Sequence, residues 1–252
     1  MHALTLAAVG AWCFLVALTG GLLGLVLGNI RLPLFLLVGT NPAAAAGANI
    51  AVSGVAAATA ASVHVRARRY DRRLVAWMLP SSIVGAIGGS IAAGYLPGDA
   101  LRTVIGSALL VLGIDLLRPR REPVPPPRET HDLRAAVVSG AVIGALGGLI
   151  GLILGTLRLP ALIRLVGEEP ARAVGTNLLV GVAVGAAGLL GHLPSGVDWS
   201  LLAVGAATSV PGAFIGARHT GRLSPTALLR AIGVILVVSG TLTVVRGVVG
   251  SP

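Results

Sequence analysis

The chain has no lysine at all, one cysteine, three phenylalanines, three tryptophans and two tyrosines in 252 residues. Charged residues make up 11 %, against about 25 % in soluble domains. A water-facing coat for a chain of this length cannot be assembled from so few charges. With one cysteine (Cys13), a disulfide framework and a cysteine metal site are both excluded within the chain. Burial in an apolar segment also disfavours a reactive thiolate there. With 3 % aromatics there is no stacking platform for bases. The net charge of +10, carried entirely by 19 arginines, therefore does not indicate nucleic acid. Basic loops on the cytoplasmic side of a membrane account for it better.

What the chain does contain is apolar sequence: 55 % hydrophobic residues and 36 glycines, with a mean hydropathy of +0.91. Apolar stretches cover 4–28, 43–65, 74–96, 100–117, 135–155, 171–193, 199–217 and 225–249, with short apolar pieces at 32–38 and 159–166. About 20 apolar residues make a helix that crosses a bilayer core of about 30 Å. No alternation of apolar and polar residues suggests barrel strands. The first stretch is preceded by no basic residue and followed by more apolar sequence, so it reads as a membrane segment rather than a signal peptide. The expected fold is an all-α polytopic membrane protein with about eight full helices plus short broken or re-entrant ones.

The chain then repeats itself. Residues 20–33 read GGLLGLVLGNIRLP and residues 147–160 read GGLIGLILGTLRLP, with ten of 14 positions identical at an offset of 127. After a one-residue slip, Gly47-Ala-Asn49 aligns with Gly175-Thr-Asn177, and the 127 offset returns at Gly85/Gly212, Gly106/Gly233 and Gly113/Gly240. The expected organisation is a first transmembrane repeat at 1–117, a Pro/Arg-rich cytoplasmic linker at 118–134, and a second transmembrane repeat at 135–252. Duplication of this kind is a signature of secondary transporters.

Loop charge bears on how the halves are related. Arg66, Arg68, Arg69, Arg72 and Arg73 crowd one loop of the first half, and the equivalent loop of the second half, 191–199, has no arginine. The next loop shows the reverse: Arg102 in the first half, Arg218, Arg222 and Arg230 in the second. Under the positive-inside rule, equivalent loops then lie on opposite faces, which is an inverted repeat. Inversion needs an odd number of crossings per half, so each short piece would have to complete a fifth. Eight crossings in two parallel halves, with re-entrant short pieces, is the alternative.

The sharpest functional signal lies at the interruption. Gly28, Pro33, Gly155 and Pro160 are expected to break the helix, since glycine and proline both disfavour continuation. Broken helices in lipid are tolerated where they are buried in protein or line a cavity. A helix restarting there offers free N–H groups to an anion. Arg31 and Arg158 recur at the same place in each repeat. A lone arginine at a helix end would snorkel to the headgroups. Two in the same Gly/Arg/Pro context point to an anion site on the pseudo-two-fold axis, because an intramembrane guanidinium pairs or serves function. Asn29 and Thr156 occupy equivalent break positions. Asn49, Asn177 and Thr176 begin the following segments, where they would either cap the helix or face the substrate.

Other residues carry less. His64 adjoins the arginine cluster and reads as interfacial. His192 flanks a loop, and no histidine shows metal-ligand spacing. No metal and no cofactor is expected. No nucleophile–base pair or phosphate-cradling loop stands in a sensible context, so the chain is not expected to be an enzyme.

These residues resemble the TauE/SafE family of sulfite-exporter-like permeases. The resemblance rests on Gly24-Leu-Val-Leu-Gly28-Asn-Ile-Arg-Leu-Pro33 and its counterpart Gly151-Leu-Ile-Leu-Gly155-Thr-Leu-Arg-Leu-Pro160. The turns Pro42-Ala43 and Pro170-Ala171 and the helix start Gly175-Thr176-Asn177 add to it. Val26-Leu27 and Ile153-Leu154 replace the family's central glycines, and the paired arginines are not part of its pattern. The resemblance implies transport of sulfite, sulfonates or related sulfur-containing anions without ATP. The expected function is thus a permease of the cytoplasmic membrane, multi-pass, with a small anion bound between Arg31 and Arg158. An anion channel, a non-transporting membrane subunit and, further off, an intramembrane enzyme are the alternatives. Expected partners are the anion and the lipid bilayer, with a second copy of the chain as a further candidate and no nucleic acid.

Overall fold

A computed structural model describes residues 3–39, 41–118, 131–220 and 225–249. Most of the expected linker, with Arg120, Arg121 and Arg128, lies outside the described residues, as does Arg222. The described chain is helical, with no strand. The helices are α1 (Ala3–Leu23), α2 (Gly28–Val38), α3 (Pro42–Arg66), α4 (Arg72–Tyr95), α5 (Gly98–Leu117), α6 (Leu133–Ile150), α7 (Gly155–Pro160), α8 (Pro170–His192), α9 (Trp199–Arg218) and α10 (Pro225–Val249). α7 runs into a π-helical turn, Ala161–Val166. Eight helices among the described residues have 18 residues or more, the number expected. Among the described residues, six are also apolar enough to cross a membrane, and α2 and 233–249 are shorter apolar helices.

Polarity is distributed inside out. Val84 is 72 % exposed, and Leu4, Val111, Val138 and Val248 also face outward, while Arg31, Asn49, Ser53, Arg158, Asn177 and Ser209 are buried. That arrangement suits lipid as the surrounding solvent. Three of the few acids and one asparagine serve helix ends. Asp71, Asp132 and Asp198 accept hydrogen bonds from Leu74 N–H (2.9 Å), Ala135 N–H (2.9 Å) and Leu201 N–H (3.1 Å), and Asn41 accepts from Ala44 N–H (2.7 Å). Each fills an otherwise orphaned donor at a helix N-terminus.

Glycine sets the helix pairs. α4 packs on α6 and α1 on α9; α5 packs on α10 and α3 on α8. A Cβ at Gly85 or Gly89 would meet the backbone of Ala141 or Ala145, and one at Gly212 or Gly216 would meet that of Phe14 or Leu18. These two sets of contacts differ by 127 residues throughout. Close backbone approach through small residues is the usual way helices associate in lipid.

Two ends of the bundle can be told apart. At one end Ser195 lies against Gly94, Pro42 is the nearest side chain to Gly98, and Asp198 N–H donates to Ala44 O (3.3 Å). At the other, Arg69 O lies against Gly175 and Asp71 N–H donates to Thr176 Oγ1 (3.0 Å). The α3–α4 turn and the turn after α8 therefore sit at opposite ends of α4. α2 begins beside Ser53, in the middle of α3, and finishes at Gly39 beside Ala45 and Leu201. The α7 segment ends at Val166, whose carbonyl accepts from Asp132 N–H (3.1 Å), at the opposite end.

Candidate functional site

The helix interruptions fall four residues earlier than the sequence spacing places them. α1 stops at Leu23 and α6 at Ile150, and Gly24 (φ +68°) and Gly151 (φ +71°) adopt the left-handed backbone that glycine alone takes cheaply. Leu25 N–H reaches back to Gly20 O (2.9 Å), and Leu152 N–H to Gly147 O (2.8 Å). This is the Schellman arrangement, which satisfies carbonyls left open at a helix end. Gly28 and Gly155 then open the new helices, so Asn29, Arg31, Thr156 and Arg158 lie in helical turns rather than in a loop. Pro33 sits inside α2 and interrupts only its hydrogen-bond ladder. Pro160 stands where α7 gives way to the π-helical turn. Neither proline makes the break.

Arg31 is 1 % exposed and its guanidinium is fully engaged. Nε donates to Asn49 Oδ1 (3.0 Å), Nη1 to Ser209 Oγ (3.1 Å) and Nη2 to Ser53 Oγ (2.9 Å). α2, α3 and α9 thus converge on one cation. Asn49 Nδ2 in turn donates to Gly151 O (2.8 Å), tying this cluster to the second interruption. All three acceptors are neutral.

Arg158 is 0 % exposed, and Nε, Nη1 and Nη2 find no hydrogen-bond partner among the described residues. Neither arginine snorkels. An arginine at the bilayer centre costs about 2.5–3.5 kcal/mol on insertion scales, and hydrogen bonds to a charged group return about 1.5–3 kcal/mol each. Three such bonds offset the cost for Arg31. Arg158 has nothing to offset it.

The remaining expected residues separate. Asn29 is buried, and its Oδ1 accepts from the next N–H, that of Ile30 (3.1 Å). Thr156 is buried one position after Gly155. Asn49 and Asn177 lie well inside α3 and α8, so neither caps a helix; Asn41 and Glu169 hold the N-cap positions. Asn177 faces the start of α7, its amide 3.0 Å from where a Cβ of Gly155 would stand. Thr176 is engaged with the α3–α4 turn through Asp71 N–H.

Sequence reasoning missed the serines. Ser53 and Ser209 are Arg31's partners, and Ser82 is buried with an unpartnered Oγ. The histidines also differ from expectation. His64 is buried with both ring nitrogens unpartnered, and His192 is buried with Nε2 3.0 Å from Gly148 O. Their spacing of 128 residues, the same as Asn49/Asn177, was the available signal.

A second polar cluster joins the α3–α4 turn, the end of the linker and the start of α8. Asp71, His131 and Glu168 bring ligand-type atoms within 4.8 Å of one another. A cation of the chain's own already serves them: Arg172 Nη2 donates to Asp71 Oδ2 at 2.6 Å, and its Nε lies 3.7 Å from Glu168 Oε1. Burial pushes the Glu168 carboxyl above the ordinary carboxylate range, against the pull of Glu169 N–H, Arg172 and His131. An acid that holds its proton more tightly when folded favours folding at low pH, and that stabilisation fades as pH rises through the raised pKa. Glu168→Gln removes the ionisation. Its melting temperature relative to wild type is therefore expected to rise as pH climbs above the ordinary carboxylate range, read by thermal unfolding in detergent. A difference that stays flat with pH contradicts this.

An apolar exterior, a polar interior and two discontinuous helices carrying buried arginines define a multi-pass membrane transporter. The chain belongs to the sulfite exporter TauE/SafE family, whose sequence pattern matches residues 9–243. It is similar to the "Probable membrane transporter protein YjnA" of Bacillus subtilis (strain 168), with 28 % identity over 239 residues, 87 % of this chain and 92 % of that protein. It is 32 % identical over 182 residues to the "Probable membrane transporter protein y4hK" of Sinorhizobium fredii (strain NBRC 101917 / NGR234), covering 66 % of this chain and 70 % of that one. The "Probable membrane transporter protein YfcA" of Escherichia coli (strain K12) is 26 % identical over 219 residues, 83 % of this chain and 78 % of its own.

Proposed function

We propose that the protein moves a small sulfur-containing oxyanion, sulfite or an organic sulfonate, across the cytoplasmic membrane. The anion sits at the helix interruptions, and the observation that carries this reading is Arg158: a buried guanidinium whose three nitrogens are unpartnered among the described residues. A planar, permanently charged fork suits an oxyanion bidentately. The family name supports the sulfur chemistry.

The halves move against one another as inverted repeats. Three observations support that arrangement. Equivalent turns, after α3 and after α8, sit at opposite ends of α4. α2 and the α7 segment run toward opposite ends of the bundle. The end with the α3–α4 turn also gathers Arg66–Arg73 and Arg218, which makes it the cytoplasmic face under the positive-inside rule.

Purified protein in proteoliposomes is expected to show saturable flux of sulfite or of an organic sulfonate. Flux that rises linearly with concentration would favour a channel, and absence of anion flux would overturn the reading. For topology, cysteines placed singly at Arg66 and Pro194 in a Cys13→Ala background are expected to label from opposite sides. Labelling of both from one side contradicts inversion.

A further inference from the structure

We propose that the two interruptions do different jobs. The second, around Arg158, is the anion subsite, with Ser82 and Asn177 as its further polar groups; the first, around Arg31, is a fixed post filled by the protein's own hydroxyls. This rests on the anion-transport reading above and assigns that reading to one half of the molecule.

The assignment comes from carrying Arg31's surroundings across the repeat. Its partners are Asn49, Ser53 and Ser209. At the offsets of 128, 128 and 127 their counterparts are Asn177, Gly181 and Ser82. One hydroxyl is therefore missing around Arg158. The two groups that remain each hold a buried atom without a partner, Asn177 Oδ1 and Ser82 Oγ, alongside the three nitrogens of Arg158. Orphaned buried polar atoms are rare in folded proteins. Five of them on three corresponding residues mark a site whose last member comes from outside the chain.

Ser82, in α4, packs against α6 as Ser209, in α9, packs against α1. Ser209 Oγ is 3.5 Å from Cys13 O, and Ser82 Oγ is 2.9 Å from where a Cβ of Gly140 would be; positions 13 and 140 correspond. The second cluster thus lacks two side chains that the first possesses, with Gly140 for Cys13 and Gly181 for Ser53. The space beside Arg31 is small. It is a cavity of about 10 Å³, lined by Val16, Ala17, Leu27, Ala56 and Ala213, room for one water and not for an oxyanion.

In the occupied site the guanidinium of Arg158 takes two anion oxygens and the Ser82 hydroxyl donates to a third. Asn177 either orients Arg158 through Oδ1, as Asn49 does Arg31, or donates through Nδ2 after an amide flip.

The test compares KM, kcat and melting temperature for sulfite flux in proteoliposomes. Ser82→Ala is expected to raise KM about tenfold, the loss of one hydrogen bond to a charged ligand. Gly181→Ser supplies the missing hydroxyl and is expected to raise KM similarly, by giving Arg158 an internal partner. Its Cβ meets Ile153 Cγ2 at 3.2 Å and Ala57 Cβ at 3.7 Å, so the Ile153 branch methyl must give by a few tenths of an ångström, and the melting temperature of this variant reports whether it does. Ser209→Ala is expected to act first on the melting temperature, with a KM effect well below that of Ser82→Ala. Equal KM effects of Ser82→Ala and Ser209→Ala would overturn the division of labour while leaving transport intact. So would an unchanged KM in both Ser82→Ala and Gly181→Ser. Wild-type protein without saturable sulfite or sulfonate flux would overturn the transport reading itself.

Discussion

Arg158→Ala is expected to cut saturable anion flux by about a hundredfold or more, since it removes two charge-assisted hydrogen bonds worth about 1.5–3 kcal/mol each. The same variant is expected to melt at or above the wild-type temperature. That combination is unusual for truncation of a fully buried residue, which ordinarily leaves a cavity and costs stability. Here the side chain removed is a cation whose three nitrogens are all unpartnered among the described residues, and its burial carries a cost of about 2.5–3.5 kcal/mol that no hydrogen bond among them returns. Arg31→Ala is expected to do the opposite to stability. It leaves Asn49 Oδ1, Ser53 Oγ and Ser209 Oγ buried without their common donor, at about 1–3 kcal/mol for each group left unsatisfied. Flux assays paired with thermal unfolding separate the two. Undiminished flux in folded Arg158→Ala would remove this residue from the site, and a large loss of melting temperature would mean that its guanidinium has partners in the resting protein.

Gly151→Ala is expected to lose most of the folded protein. The left-handed backbone at φ +71° costs a non-glycine residue about 1–2 kcal/mol. The new Cβ would stand 2.5 Å from both Ala46 Cα and Ala46 Cβ and 2.6 Å from Ala46 O, so a backbone must move. Overpacking of that kind costs a further 1–3 kcal/mol or so. The sum, about 2–5 kcal/mol, is comparable with the whole stability of a marginal domain. The damage also propagates, because Gly151 O is the acceptor that fixes Asn49, and Asn49 fixes Arg31. Gly88→Ala is the control. No atom lies within 4 Å of a Cβ at that position in α4, and alanine is a better helix former than glycine by about 1 kcal/mol. Its melting temperature is expected to stay level or rise. Equal behaviour of the two variants, read by yield of monodisperse protein and thermal unfolding, would show that the turn at Gly151 does not hold the interruption in place.

Much of this was legible in the sequence because the duplication made it so. Ten shared positions around each interruption picked out Arg31 and Arg158 among 19 arginines, and the burial of both follows from an apolar context that offers nowhere else for them to go. The placing of the break was not legible. With 36 glycines spread along the chain, nothing local marks Gly24 and Gly151 as the two that turn left-handed to end α1 and α6. Gly28 and Pro33, which do look like breakers, lie in the helix that follows. Asn49 and Asn177 looked like caps because they follow a Pro-Ala turn closely, but the helices begin at the prolines, and a residue seven positions in faces the core. The serine partners were out of reach for a different reason. Ser53 lies 22 residues and Ser209 lies 178 residues from Arg31, and only the packing of α2, α3 and α9 brings them together. Once Arg31's set is known, the repeat extends it to Ser82 and Gly181 without further information.

One buried guanidinium, not two, is expected to take the anion. Calorimetric titration of sulfite into detergent-purified protein tests it most directly. One site per chain is expected in wild type, kept by folded Ser209→Ala and lost in Arg158→Ala. Two equivalent sites per chain, or binding that survives intact in Arg158→Ala, would contradict it.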